Sequence, residues 1–199
     1  MKIINCEQGT PEWNAVRCGI PTSSSFDKII TSRGEPSKQR EKYLYTVAGE
    51  KVSGIKVETY QSFAMQKGVE KEEEARNYYK MLYDVEVQKV GFCLADNGRY
   101  GCSPDGLIDK SGGVEIKCPE IHTHVGYMVN KEALLKDYYQ QVQGSLFVTK
   151  CKWWDIMSYF AGLNNVIIRV TPDKTFFKAL EVELEVFTKE LDELVERIK

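Results

Sequence analysis

The sequence contains no apolar run approaching the ~18 residues that cross a bilayer, and Met1-Lys2-Ile3-Ile4-Asn5-Cys6-Glu7 lacks the long apolar region of a signal peptide. A cytoplasmic protein with no membrane partner is expected. The six cysteines (Cys6, Cys18, Cys93, Cys102, Cys118, Cys151) include no CxxC pair, which argues against a zinc ribbon and leaves them as small core residues. No internal repeat, low-complexity run or Pro/Gly/Ser linker divides the 199 residues, so a single domain over 1–199 is expected. An excess of charge is also missing. With 27 basic and 29 acidic side chains the formal net charge is −2, which excludes indiscriminate coating of nucleic acid. The balance is uneven along the chain, however: 1–60 and 121–170 are net basic, 61–120 and 171–199 net acidic. A local basic lining beside an acidic centre therefore stays open.

What is present reads as an α/β (α+β) domain. Pro11 to about Arg17 predicts a short helix, ended by Gly19-Ile20-Pro21. Thr22, Ser23 and Ser24 offer N-caps for a second one carrying Phe26, Ile29 and Ile30. Longer helices are expected over about 37–53 and 62–82, the latter turning Met65, Val69, Ala75, Tyr78, Tyr79 and Leu82 toward packing surfaces. The period then changes to the alternation of a strand over 85–92. Strands over 101–109 and 113–118 follow, joined by a turn at Lys110-Ser111-Gly112-Gly113. A helix over 131–147, strands over 153–159 and 166–170, and a C-terminal helix over about 174–199 complete a central mixed sheet flanked by helices. Phe177, Leu180, Leu184, Phe187, Leu191, Leu194 and Ile198 recur at alternating steps of three and four, which suits either docking on the same domain or a subunit contact.

The segment with chemistry in it is Ser103-Pro104-Asp105-Gly106 followed by Val114-Glu115-Ile116-Lys117-Cys118. Strand alternation puts Glu115 and Lys117 on one face and turns Ile116 into the core. A hairpin between the two segments brings Asp105 alongside Glu115, so two carboxylates and one ammonium converge at the end of a sheet. Hard oxygen ligands with a backbone carbonyl suit Mg²⁺. Such an ion polarises a phosphodiester and lowers the pKa of a bound water. A lone Glu-x-Lys triplet is common on edge strands; the preceding Pro-Asp-Gly, the spacing and the intervening turn make this one a candidate site. A third carboxylate is expected from Gly68-Val69-Glu70-Lys71-Glu72-Glu73-Glu74-Ala75-Arg76, although such Glu/Lys runs usually form solvated faces and spacing alone does not choose among them. Trp13, Tyr138, Tyr139 and Trp153-Trp154 read as packing residues, and His122 and His124 as part of a surface loop.

Five blocks occur in one order: Gln8-Gly9-Thr10-x-x-Trp13-x-x-x-Arg17-x-Gly19-Ile20-x-Thr22-x-Ser24; Gly68-x-x-x-Glu72-x-x-Ala75; Cys102-Ser103-Pro104-Asp105-Gly106-Leu107; Glu115-Ile116-Lys117-Cys118-Pro119; and Gln141-Val142-Gln143. Together they resemble the lambda exonuclease (YqaJ-type viral recombinase) family of the PD-(D/E)xK nucleases. The resemblance implies a restriction-endonuclease-like core and a 5′→3′ exonuclease that digests one strand of linear double-stranded DNA, using Mg²⁺ or Mn²⁺, with two ions per site. It implies Glu72, Asp105 and Glu115 as metal ligands together with the Ile116 carbonyl, Lys117 as the catalytic lysine, and Gln141 as the residue that helps position the attacking water. The pocket for a 5′-terminal phosphate maps by the same resemblance onto Arg17, Thr22, Ser24 and Ser103. Arginine's planar fork and hydroxyls opening a helix suit an anion on their own account. A homotrimeric ring, a phage or prophage origin, and a single-strand annealing protein that receives the 3′ overhangs are further expectations. Two alternatives stand beside this one: a PD-(D/E)xK endonuclease of restriction or junction-resolving type, and a non-catalytic DNA-end-binding protein. Residues 149–199 carry no matching functional motif.

Overall fold

The structure, a computed structural model, describes residues 1–57 and 63–199, with the backbone alone for 63–70. Two small sheets organise it. Strands β1 (Lys2–Ile4), β2 (Phe92–Leu94) and β3 (Gly101–Cys102) form an antiparallel sheet in that order. Strands β4 (Gly106–Ile108), β5 (Gly112–Lys117), β6 (Trp153–Ser158) and β7 (Val166–Val170) form the other, with β5 and β6 parallel and the remaining pairs antiparallel. The expected mixed sheet is therefore present. A parallel β5–β6 pair requires a crossover, and two helices supply it: α4 (Ile121–Val129) and α5 (Lys131–Thr149).

Helices cover both faces of the four-stranded sheet. On one side α3 (Phe63–Tyr83) packs Ala75 and Tyr79 against Ile108, Val114, Ile116 and Met157. On the other, α5, α2 (Arg40–Ser53) and α6 (Lys174–Ile198) enclose Leu107, Trp154, Ile156 and Val170. Asp155, buried between the layers, accepts from the Tyr79 hydroxyl at 2.7 Å and twice from Arg169 at 2.9 Å. That contact joins α3, β6 and β7. Asp173 starts α6 by accepting from the backbone N–H groups of Thr175 and Phe176. Leu180, Leu184, Phe187, Leu191 and Val195 are then buried within this chain, while Ile198 is exposed. Most of the heptad positions thus pack on the chain's own core. No described helix is long and apolar enough to cross a membrane.

Several local expectations change. The 85–92 stretch is not a continuous strand: Val87 and Val90 are buried three apart, Gln88 alone bridges Leu107, and pairing begins at Phe92. The 101–109 strand divides because Pro104, which has no N–H to donate, stands where the chain passes from one sheet to the other. Gly112 and Gly113 lie inside β5 and not in the turn, which instead runs through Asp109 at φ +51°. A Cβ on either glycine would strike the indole of Trp153 or Trp154. The segment after Thr22 is a 3-10 helix, Ser23–Lys28, whose Thr22 side chain makes no cap bond. Leu82 is exposed. The proposed packing roles of Met65 and Val69 lie outside the described residues. Finally, His122 and His124 sit on α4 and not in a loop, with His124 fully buried between Ser158 Oγ (2.8 Å) and the Asn164 carbonyl (3.1 Å).

Candidate active site

The ladder between β4 and β5 pairs Gly106 with Val114, so Asp105, one residue back along β4, stands opposite Glu115. The Ile116 N–H donates to Asp105 Oδ2 at 2.6 Å. Glu115 is 3% exposed, and its Oε1 accepts from Lys117 Nζ at 2.7 Å and Gln141 Nε2 at 2.5 Å. Alternation along β5 works as the sequence requires. Glu115 and Lys117 face α5, while Val114 and Ile116 pack toward α3. Helix α5 bends at Tyr138, which has non-helical φ/ψ of −120° and 16°, and the Lys117 ammonium lies 4.7 Å from the centre of that tyrosine's ring. Gln143, two residues after Gln141, points away and holds the Thr171 carbonyl and the Asp173 N–H, fixing the approach to α6.

The electrostatics reflect crowding. Burial pushes the Asp105 carboxyl well above the ordinary range, and the nearby Glu115 and Glu72 carboxylates push it further. Burial raises Glu72 as well, against the pull of Arg76. Burial opposes the Lys117 ammonium, but Glu115 and Asp105 outweigh it, and its pKa rises above that of an ordinary lysine. Asp105, Glu115 and the Ile116 carbonyl are hard oxygen donors of the kind that suit a small divalent cation, and the excess of carboxylates favours one. Among the described residues, no three acidic, histidine or cysteine side chains reach a common ion position. Glu72 is engaged by Arg76 instead.

The Ser103-Pro104-Asp105 turn is held from distant parts of the chain. Trp13 Nε1 donates to Ser103 Oγ and the Gly91 carbonyl, both at 3.0 Å. Gln8 Nε2 donates to the carbonyls of Pro104 (2.8 Å) and Val90 (2.9 Å). Arg76 Nε donates to the Asp105 carbonyl at 2.9 Å. The anchoring by Gln8 and Arg76 escapes sequence reasoning. Gln8 opens the first of the five blocks without a role of its own, and Arg76 is one charge in a charged run. Trp13 packs as expected but also donates its indole N–H to the turn.

A second cluster lies beside the turn. Helix α1 (Pro11–Arg17), capped by Thr10, stacks the Arg17 guanidinium 3.7 Å above the Trp13 ring. The chain turns at Gly19 (φ +68°), where a Cβ would lie 2.7 Å from Lys51 Cβ. Buried Glu50 of α2 fixes that turn through the Gly19 N–H (3.1 Å), Lys56 Nζ (2.7 Å) and the Val57 N–H (3.1 Å). Thr22 then bridges Gly101, two residues before Ser103, and its Oγ1 lies 3.1 Å from Ser24 Oγ. Arg17 is thus linked to Ser103 through Trp13, and Thr22, paired with Ser24, is linked through Gly101 to the strand that leads into Ser103. Arg17 Nε is buried without a hydrogen-bond partner, and among the described residues no carboxylate pairs with this guanidinium.

A model of the YqaJ-like viral recombinase domain matches residues 12–152. The chain belongs to that family. Among solved structures, LHK-Exo in complex with dAMP superposes with a TM-score of 0.84 at 30% identity, covering 96% of each chain. A second crystal structure of this alkaline exonuclease, from Laribacter hongkongensis, gives a TM-score of 0.84 at 29% identity over 95% of this chain and 96% of that one. A phage-related exonuclease from Haemophilus somnus 129PT matches at a TM-score of 0.73 and 15% identity over 94% of this chain and 99% of that one, a likeness of fold. No match is found among curated proteins. The YqaJ family member described here thus has the alkaline-exonuclease form of the PD-(D/E)xK fold.

Proposed function

We propose that the chain is a divalent-metal-dependent 5′→3′ exonuclease that degrades one strand of linear double-stranded DNA and leaves 3′ overhangs for single-strand annealing. The observation that carries this reading is the convergence of Asp105, Glu115, Lys117 and Gln141 at the end of β5, within a family of viral recombinases and beside a cluster suited to phosphate. Asp105 and Glu115, with the Ile116 carbonyl and with Glu72 from α3, would hold the metal, Mg²⁺ or Mn²⁺ and two ions in the full site. A bound divalent cation supplies charge against the scissile phosphate and acidifies a coordinated water.

The chain's own groups do the rest. Glu115 orients the Lys117 ammonium, which faces the reacting phosphate as charge develops on it. Gln141, an amide that donates at Nε2 and accepts at Oε1, aligns the attacking water. Arg17, already stacked and without a carboxylate partner among the described residues, binds the 5′-terminal phosphate with the hydroxyls of Thr22, Ser24 and Ser103. A homotrimeric ring around the DNA and transfer of the overhang to an annealing protein complete the reading. They rest on the family resemblance.

The deciding experiment offers linear and covalently closed circular duplexes with Mg²⁺ or with EDTA. Loss of the linear DNA alone, only with Mg²⁺, is expected. Cutting of both substrates makes the protein an endonuclease, and cutting of neither makes it an end-binding protein. Lys117→Ala should lose digestion and keep DNA binding; full activity in that variant refutes the site.

A further inference from the structure

Arg76 is the one arginine of the Glu-rich α3 run, and it is 4% exposed. Burying a guanidinium is costly unless each edge of the fork finds an acceptor. All three edges do: Nε donates to the Asp105 carbonyl at 2.9 Å, Nη1 to Glu73 Oε2 at 2.5 Å, and Nη2 to Glu72 Oε1. The choice of acceptor on Asp105 matters. Arg76 takes the main-chain oxygen and spends neither carboxylate oxygen, one of which accepts from the Ile116 N–H. On Glu72 it takes a single oxygen. A purely structural ion pair would grip the carboxylate of Asp105 and remove it from any ligand. This arrangement fixes where both carboxylates stand and leaves oxygens available.

We infer that Arg76 is a positioning residue for the metal site, a fork that ties the carboxylate of α3 to the Ser103–Asp105 turn and so sets the distance between Glu72 and Asp105. It acts through those two residues and touches neither metal nor DNA. The inference rests on the metal reading given above. Lysine cannot replace it, because one ammonium on a flexible stem lacks the planar geometry that spans a carbonyl and two carboxylates. An arginine needed only for its charge would tolerate that exchange.

The test is a Mn²⁺ titration of the full chain, read as free Mn²⁺ by electron paramagnetic resonance, without DNA and without turnover. Folding of each variant is checked by circular dichroism. Arg76→Lys should weaken Mn²⁺ binding by about tenfold or more, as loss of groups that orient metal ligands generally does, while Asp105→Asn abolishes it. Unchanged or tighter binding in Arg76→Lys, with Asp105→Asn still defective, overturns the positioning role alone. Binding by Asp105→Asn equal to that of the unaltered chain overturns the metal reading and this inference with it. Should Arg76→Lys not fold, Glu73→Ala frees one edge of the fork at an exposed position and should weaken binding in the same direction by less; unchanged affinity there counts against the inference equally.

Discussion

Adding one methyl group to this protein should have opposite effects at two glycines. Gly113 lies in β5, two residues before Glu115 and between β4 and β6. A Cβ placed there falls 2.3 Å from Cζ3 of Trp154, 2.5 Å from Cη2 and 2.6 Å from Cε3. Trp154 is fully buried, so reaching ordinary contact needs a shift of about 1 Å in a close-packed layer with little room to yield. Overpacking of this kind costs about 1–3 kcal/mol. For a chain of this length each kcal/mol moves Tm by about 2–4 °C, so Gly113→Ala should lower Tm by about 2–12 °C. Gly126 in α4 has open space where a Cβ would stand, with no atom within 4 Å. There alanine relieves the entropic penalty of a helical glycine, about 0.5–1 kcal/mol, and Tm should rise by about 1–4 °C. Thermal unfolding followed by circular dichroism, with calorimetry as a check on two-state behaviour, measures both. In a Trp154→Phe background, which removes part of the struck ring, the cost of Gly113→Ala should shrink. A Gly113→Ala variant within about 1 °C of the parent, or two substitutions moving Tm the same way, would refute the packing account of β5.

Two further expectations concern the DNA end and the last helix. Arg17→Ala should erase any preference for 5′-phosphorylated over 5′-hydroxyl ends in a digestion assay while leaving the Mn²⁺ affinity near that of the parent; an unchanged preference removes Arg17 from the phosphate pocket. Asp173→Ala should cost about 1 kcal/mol as a lost N-cap. The Asp173 carboxyl is held below its ordinary range by the Phe176 N–H and then by the Tyr139 hydroxyl. Its stabilisation is therefore complete above the ordinary aspartate pKa of 3.8 and fades as pH falls through the depressed folded value. The stability gap between parent and variant should close in acid; a gap that widens there contradicts the cap.

The legibility of this chain varies with the kind of signal each segment carries. Period and punctuation locate α1, β6, β7 and α6, because Pro11 and Gly19 mark the ends of α1 and apolar positions mark the faces of the rest. The Asp105–Glu115 juxtaposition is legible too, since two-residue alternation and a short hairpin leave one register in which both segments bury their apolar sides. Helix α4 is not. It turns Ile121, Val125 and Val129 outward and His124 inward, the reverse of what marks an amphipathic helix. Gly112-Gly113 resembles a turn because the reason for those glycines is the bulk of Trp153 and Trp154, some forty residues away in the chain. The anchoring of the Ser103–Asp105 turn is invisible for the same cause: side chains that reach across the fold leave no periodic trace.

That anchoring also has a consequence in time. Gln8 and Trp13 meet Pro104 and Ser103 across 96 and 90 residues of chain, and β5 must still pair with β6, beginning at Trp153. Closing loops of that length is slow relative to forming local helices. During synthesis the N-terminal residues emerge early and wait for partners made much later. A partly made chain therefore carries the acidic residues of the site without the arrangement that would let them work together. Competence arrives only with the finished fold, which makes recovery of activity after dilution from denaturant a sensitive clock for the last stage of folding.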